Sequence, residues 1–310
     1  MHTLRFVTAD VFTPVPFAGN QLAIVFGADA LPTATLQSIA QEFNYSETVF
    51  VYPPDDPAHT RRIRIFTPGS ELQFAGHPTV GTAHALVETG EVKATGDQVT
   101  VVLGEGVGPV PVCVSLRNGV PYSAQLTAAM LPEERDVSIP IEKLADILSL
   151  SASDIVGGAH APAAVSVGLP WLIIPVHTVD AVRRARVRMD LWQQHLAGSW
   201  ASEPMVFALA RDNDETALPA HVRGCDVRAR VFVPGLAVPE DPATGSANAC
   251  LAGYLAKRTP RDGVLRWEVA QGIEMGRPSR LSIEAEKLAG DIQAVRVGGA
   301  TVLVSEGTMR

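Results

Sequence analysis

The sequence predicts an α+β fold of two related halves, each a mostly antiparallel sheet curled around one buried helix. Three observations carry this. The first is an internal repeat: Arg64-Ile65-Phe66-Thr67-Pro68-Gly69 matches Arg230-Val231-Phe232-Val233-Pro234-Gly235, and His77-Pro78-Thr79-Val80-Gly81-Thr82-Ala83-His84-Ala85 matches Asp241-Pro242-Ala243-Thr244-Gly245-Ser246-Ala247-Asn248-Ala249. The second is a helix nearly free of charge in each copy. Between Ala243 and Ala256 only Thr244, Ser246, Asn248 and Tyr254 carry polar groups. A helix that is apolar almost all round is buried. The third is a succession of short segments rich in β-formers and separated by turn residues.

The elements follow in order. Leu4 to Phe12 and Gln21 to Phe26 read as strands around a turn-rich loop. Thr33 caps a helix whose Leu36, Ile39, Ala40 and Phe43 share one face. Glu47 to Tyr52 is a strand of β-branched and aromatic residues, and Arg62 to Phe66 alternates charge with apolar groups. After a loop from Gly69 to Gly76, Pro78 to Glu88 is the first buried helix. Strands follow at 98–103, 110–116 and 121–127, the last two joined by the hairpin signal Asn118-Gly119. Residues 128–140 read as a linker. The second half has helices at 141–150, 178–185 and 189–196. Its strands fall at 163–168, 171–176, 205–210 and 227–233. The second buried helix spans 242–257, with Asp241 as N-cap and Pro242 at the first helical position. Strands at 267–269, 273–275, 279–286, 291–297 and 301–305 end the chain. This places an N-terminal half at 1–127 and a C-terminal half at 128–299, with the last strand, 300–310, a candidate to join the first half.

At 310 residues, two domains is the natural expectation, and each half is long enough to own a core. The balance of 25 basic against 33 acidic residues argues against nucleic acid, which wants clustered Lys and Arg. Cys113, Cys225 and Cys250 are odd in number and lack Cys-x-x-Cys spacing, so neither a disulfide scaffold nor a zinc site is expected, and a reducing cytoplasm fits. No long apolar run follows the N-terminus, so no signal peptide is expected. The most apolar window, 161–176, is broken by Pro162, Pro170 and Pro175, so no membrane span is expected.

Several chemistries lack their signatures. Gly104-Glu105-Gly106-Val107-Gly108 leads into a strand, not a helix, and reads as a turn rather than a nucleotide fingerprint. There is no Walker loop, no His-Glu-x-x-His and no Gly-x-Ser-x-Gly elbow. What remains is the two helix mouths and one carboxylate. A helix start offers free N–H groups and about half a positive charge. Two such mouths facing one cleft make a site for a substrate carboxylate. Asp241 alone reads as a cap and His77 alone as a satisfied polar residue. At matched positions in two copies they fit acid–base work on either side of a substrate. Glu47 opens an apolar strand. Read alone it is a solvated strand start; if buried, its pKa rises toward that of a general base.

Phe17-Ala18-Gly19-Asn20, Asn44-Tyr45-Ser46-Glu47-Thr48, Phe74-Ala75-Gly76-His77-Pro78-Thr79, Glu240-Asp241-Pro242-Ala243-Thr244-Gly245-Ser246-Ala247, and Gln271-Gly272 with Gly276-Arg277-Pro278-Ser279 together resemble the PhzF-like phenazine-biosynthesis family. The resemblance implies a diaminopimelate-epimerase-like fold of two pseudo-symmetric, barrel-like halves. It implies an isomerase like the trans-2,3-dihydro-3-hydroxyanthranilate isomerase, working without cofactor or metal on a small carboxylate-bearing metabolite, as a homodimer. By resemblance Glu47 is the proton-shuttling glutamate, and His77 and Asp241 join it as catalytic groups. Asn20, Gly76, Gly245 and Ser246 are substrate-binding. Gln21 and Gln73 stand where the family often has Pro, which touches substrate choice more than fold. Racemases of this type carry one cysteine at each helix mouth; here those places hold His77 and Asp241, which disfavours a two-thiol mechanism. Two alternatives remain: a racemase or epimerase with non-thiol bases, and a non-catalytic carboxylate-binding protein of the same fold.

Overall fold

The computed structural model describes residues 3–210, 217–236 and 239–310. The chain divides into two compact units, 1–127 with 298–310, and 128–297. The first unit contains β1 (Leu4–Val11), β2 (Asn20–Phe26), α1 (Thr33–Phe43), β3 (Glu47–Tyr52), β4 (Arg61–Phe66), β5 (Glu71–Leu72), α2 (Gly76–Glu88), β6 (Gln98–Glu105), β7 (Gly108–Arg117) and β8 (Val120–Thr127). The second opens with β9 (Glu133–Asp136), α3 (Ile141–Leu148), β10 (Ala163–Ser166), β11 (Pro170–Pro175), α4 (Val179–Arg184), α5 (Met189–His195) and β12 (Pro204–Leu209). It continues through β13 (Val227–Phe232), β14 (Glu240–Asp241), α6 (Gly245–Lys257), β15 (Gly263–Gln271), β16 (Ser279–Leu288) and β17 (Asp291–Gly299). The last strand, β18 (Thr301–Met309), returns to the first unit and pairs antiparallel with β1. Among the described residues no helix is long and apolar enough to cross a membrane.

In the first unit, antiparallel pairs β1–β2, β3–β4, β4–β5, β6–β7 and β7–β8 are joined by parallel pairs β2–β3 and β4–β6. Asn118 and Gly119 turn the β7–β8 hairpin with φ of 54° and 78°, both in the left-handed region that such a two-residue turn needs. α2 is buried from Gly76 to Val87 and packs against β1, β2, β3, β6, β7, β8 and β18. Only a helix without a charged face can be enclosed like this. α1 covers other apolar surface of the unit: its Leu36 and Ala40 pack with Val25, Phe50 and Phe66.

The second unit repeats the first strand for strand. Pairs β10–β11, β12–β13, β13–β14 and β15–β16 are antiparallel, and β11–β12 and β13–β15 parallel. α6 takes the place of α2 and packs against β10, β11, β15 and β16. α3, α4 and α5 form an outer layer, where Leu144, Ile147, Val182, Trp192 and Leu196 meet Leu172, Ile174 and Val206.

Strand register fixes which residues of the two units correspond. Ile65 and Phe66 of β4 face Leu72 and Glu71, while Val231 and Phe232 of β13 face Asp241 and Glu240. Asp241 therefore corresponds to Leu72, and the first helical residues, Gly76 and Gly245, correspond to each other, as do His77 and Ser246. The match of His77 with Asp241 drawn from sequence is corrected by this register. The connection from β13 to β14 is longer than that from β4 to β5, and the resemblance of His-Pro-Thr to Asp-Pro-Ala hid the slip. The helix starts shift for the same reason. Pairing with Val231 draws Asp241 into β14, so Thr244 is the N-cap, Pro242 precedes α6, and Asp241 does not cap it. α2 starts two residues before Pro78, with Ala75 as its N-cap. Pro32, not Thr33, precedes α1.

Three further expectations change. Residues 128–140 are not all linker: the charged Glu133–Asp136 pairs with β10, where backbone bonding asks for no apolar face. A second short strand, β5, was hidden in the loop before α2. Ile273–Met275 forms a 3₁₀ turn, because Gly272 and Gly276 on either side have φ of 73° and 72°.

Candidate active site

The first unit brings Glu47, His77, Asn20 and Gly76 together. Glu47 is the first residue of β3, and Leu22 of β2 lies opposite it. Its side chain is 16% exposed. Asn20, fully buried, opens β2. Gly19 before it has φ of +64°, and a Cβ there would sit 2.3 Å from the Val11 carbonyl oxygen, so only glycine delivers the chain to Asn20 in this way. His77 is the second residue of α2, next to Gly76.

The His77 ring has three polar neighbours. Nε2 lies 3.3 Å from the Gln21 carbonyl oxygen, an acceptor, so Nε2 carries the proton and donates it there. Burial pushes the ring pKa down to about 3, against a smaller upward pull from the Gln21 carbonyl, so the ring is neutral near pH 7. Nδ1 is then an acceptor. Its one lone pair lies 3.3 Å from Asn20 Nδ2 and 3.3 Å from Glu47 Oε2, and accepts from one of them at a time. A proton carried by Glu47 can be donated to Nδ1 across that contact.

The second unit brings Asp241, Gly245 and Ser246 together. Asp241 Oδ2 accepts from Thr244 Oγ1 at 2.5 Å, and the Asp241 carbonyl accepts from Gln271 Nε2 at 2.8 Å. Gln271 also receives Thr244 N and Asn248 Nδ2 on Oε1, at 3.3 and 2.8 Å, so one buried amide fastens the whole approach to α6. Gly272 follows with φ of +73°, where a Cβ would meet the Pro242 carbonyl oxygen at 2.5 Å. Ser246 Oγ accepts from Trp171 Nε1 at 3.1 Å, which leaves the hydroxyl proton to be donated elsewhere.

Trp171, Thr244 and Gln271 carry roles at this mouth that the sequence reading did not assign. Gln271 lay within a recognised motif. Trp171 could have been noticed as the one indole in an otherwise aliphatic strand, and its buried N–H needs a partner. The register adds a contrast between units. Leu22 faces Glu47 across β2–β3, and Leu172 faces Pro204 across β11–β12. Traced through β4 and β13, where Val49 pairs with Ile65 and Met205 with Val231, Pro204 corresponds to Thr48 and the counterpart of Glu47 is Glu203, whose carboxylate accepts from Ser202 Oγ at 3.1 Å instead of facing an imidazole.

The family profile of phenazine biosynthesis-like proteins matches residues 9–307. The chain belongs to the PhzC-PhzF family. It is 40% identical to an uncharacterized isomerase of Mesorhizobium japonicum, over 100% of this chain and 99% of that protein. It is 33% identical to the trans-2,3-dihydro-3-hydroxyanthranilate isomerase of Pseudomonas aeruginosa, over 98% of each chain. The crystal structure of a PhzF-family phenazine biosynthesis protein of Bacillus anthracis superposes with a TM-score of 0.86 over 100% of both chains at 24% identity, which shows the shared fold. As a PhzC-PhzF protein the chain is an isomerase, and the mixed α and β architecture expected from its sequence is the family's.

Among the described residues no group of three His, Cys, Asp or Glu is placed to hold a metal ion. Cys250 lies inside α6, and burial pushes its thiol up to about 12, so it is not a nucleophile near pH 7.

Proposed function

We propose that this protein moves a proton between two carbons of a small carboxylate-bearing metabolite, with Glu47 as the single acid–base group and no cofactor. Glu47 takes a proton from an activated carbon and becomes a carboxylic acid. Its proton rests against Nδ1 of His77 and is then returned at another carbon of the same molecule. His77, whose remaining N–H is spent on Gln21, accepts and does not donate. The charge that develops on the substrate is met by the free backbone N–H groups at the start of α2, beside Gly76. Asn20 holds the imidazole. The substrate class follows the relative from Pseudomonas aeruginosa, trans-2,3-dihydro-3-hydroxyanthranilate being the first compound to try.

One observation carries the choice of a single shuttle over a symmetric pair of bases: Glu47 faces Nδ1 of His77 at the start of α2 at 3.3 Å, whereas its counterpart in the second unit, Glu203, accepts from Ser202 Oγ at 3.1 Å and from the Gly235 N–H at 3.4 Å. Epimerisation by two bases needs one on each face of the carbon. The test is turnover in D2O, followed by NMR, with that compound and a panel of small cyclic and amino carboxylates. The reading expects product with deuterium at the newly protonated carbon in part only, because the same carboxyl returns some of the proton it removed. Loss of optical activity in an amino acid without double-bond migration would favour the epimerase alternative. Binding without exchange in any substrate would favour a carboxylate-binding protein.

A further inference from the structure

The two helix mouths are fastened by the same arrangement with one chemical difference. In the second unit Asn248, on the first turn of α6, donates one Nδ2 proton to the Thr244 carbonyl at 2.9 Å and the other to Gln271 Oε1 at 2.8 Å. In the first unit the corresponding residue is Thr79. Its Oγ1 lies 2.8 Å from the Ala75 carbonyl oxygen and 2.7 Å from Glu105 Oε1. Register equates Glu105 with Gln271: Arg61 and Arg62 pair with Leu103 and Gly104, Val227 and Arg228 with Val269 and Ala270, and the next residues are Glu105 and Gln271. Asn248 has two protons for its two acceptors. Thr79 has one. The arrangement closes only if Glu105 brings the second.

We infer that Glu105 is a carboxylic acid in the working protein, that its proton is donated to Thr79 Oγ1, and that Glu105 thereby acts as the positioning residue of the α2 mouth in the way Gln271 acts for α6. Thr79 then donates its own hydrogen bond to the Ala75 carbonyl at the N-cap, one residue before Gly76 and two before His77. Burial acts in the same direction, pushing the Glu105 carboxyl up to about 8, and Oε2 has no hydrogen-bond partner among the described residues. Facing groups do not supply a compensating charge. Glu105 lines a cavity of about 310 Å³ with His59 and Asp55 from the loop after β3, Arg62 and Arg64 from β4, and Glu71 from β5. Arg62 pairs with Asp55 and Arg64 with Glu71. α2 contributes the neutral His77 and Thr79, and β7 faces Glu105 with Gly108.

The protonation stands on geometry alone; its effect on turnover rests on the proposed role of the α2 mouth. Two measurements separate them. Native Glu105 keeps a proton that the unfolded chain has released between pH 4.5 and about 8, so the wild type loses stability across that window as pH rises, and Glu105→Gln does not. The Tm of Glu105→Gln should therefore pull ahead of wild type by a margin that widens from pH 4.5 to 8, and the infrared band of a protonated carboxyl present in wild type at pH 6 should be missing in Glu105→Gln. A constant Tm difference with no such band overturns the inference. For turnover, Glu105→Gln should stay within about threefold of wild type and lose the wild-type decline near pH 8, while Glu105→Ala should fall at least about tenfold. Equal loss in both variants removes Glu105 as a positioning residue. If no substrate is turned over by wild type, the proposed function fails while Tm and infrared still decide the protonation.

Discussion

His77 Nε2 sits 3.3 Å from the carbonyl oxygen of Gln21, and this contact fixes the tautomer of the only imidazole beside Glu47 among the described residues. A ring bonded in this way and buried has no exposed face from which to gain a proton. The unfolded chain binds a proton at His77 below about pH 6.5, whereas the folded chain resists until about pH 3. Between those values the unfolded state binds more protons, so this group makes stability rise with pH and fall on acidification. His77→Gln should therefore lose less Tm than wild type between pH 6.5 and 4. In ¹⁵N spectra the His77 ring should keep one neutral Nε2–H form from pH 5 to 9. A ring titrating near 6.5 would show that the burial described here is not that of the protein in solution.

Glu47→Gln isolates the shuttle. The amide keeps the shape of the side chain and its reach toward Nδ1, but it cannot take a proton from carbon. A positioned acid–base group contributes about 10²–10⁴ in rate, so turnover should fall at least about 100-fold while ligand binding, read by calorimetry or thermal shift, is retained. Unchanged turnover would take Glu47 out of the mechanism. Loss of binding as well would make it a substrate-holding residue.

Two ion pairs at matched positions should respond very differently to the same change. Arg230 and Glu240 are bidentate at 2.8 and 2.7 Å, with side chains only 4% and 11% exposed, and Arg230 Nη1 also reaches the Val182, Arg183 and Ala185 carbonyls. Glu240→Gln leaves a guanidinium buried without its counter-charge, at a cost of about 3–5 kcal/mol. Arg64 and Glu71 make the same bidentate contact at 24% and 32% exposure. There Glu71→Gln should cost about 0–1 kcal/mol. Scanning calorimetry of the two variants compares them directly, and equal losses would contradict the burial difference.

Sequence was most legible where one residue type has one structural use. Asn118-Gly119 specified its turn, and the missing charge specified that α2 and α6 are enclosed. The internal repeat was visible because Arg and Phe recur in order along β4 and β13 and Pro-Gly recurs just after each. Its register was not, because Asp-Pro and His-Pro look alike in print, while only the pairing of Asp241 with Val231 shows that Asp241 belongs to a strand. Glu105 and Gln271 were illegible for a related reason. Each works through a partner on a helix more than twenty residues earlier, and although both lay in stretches singled out from the sequence, Gln271 before Gly272 and Glu105 between Gly104 and Gly106, neither stretch says which helix residue the side chain meets. Trp171 likewise reaches Ser246 only once β11 is laid against α6.

Thiol chemistry gives a last discriminating measurement. A racemase that uses one thiolate at each helix mouth is inactivated by alkylation at pH 7–8, because its cysteines are accessible and partly ionised. Here the mouth positions are His77 and Ser246, with Asp241 nearby in β14. Cys250 is fully buried inside α6, and burial pushes its thiol up to about 12. Cys225 is buried too, and Cys113 on β7 is the most accessible of the three. Iodoacetamide on the native protein should therefore modify Cys113 first, with Cys250 untouched by mass spectrometry until the chain is unfolded, and turnover should be unchanged after Cys113 is capped. Loss of activity in step with alkylation of Cys250 would mean that the helix opens during catalysis and that a thiol takes part after all.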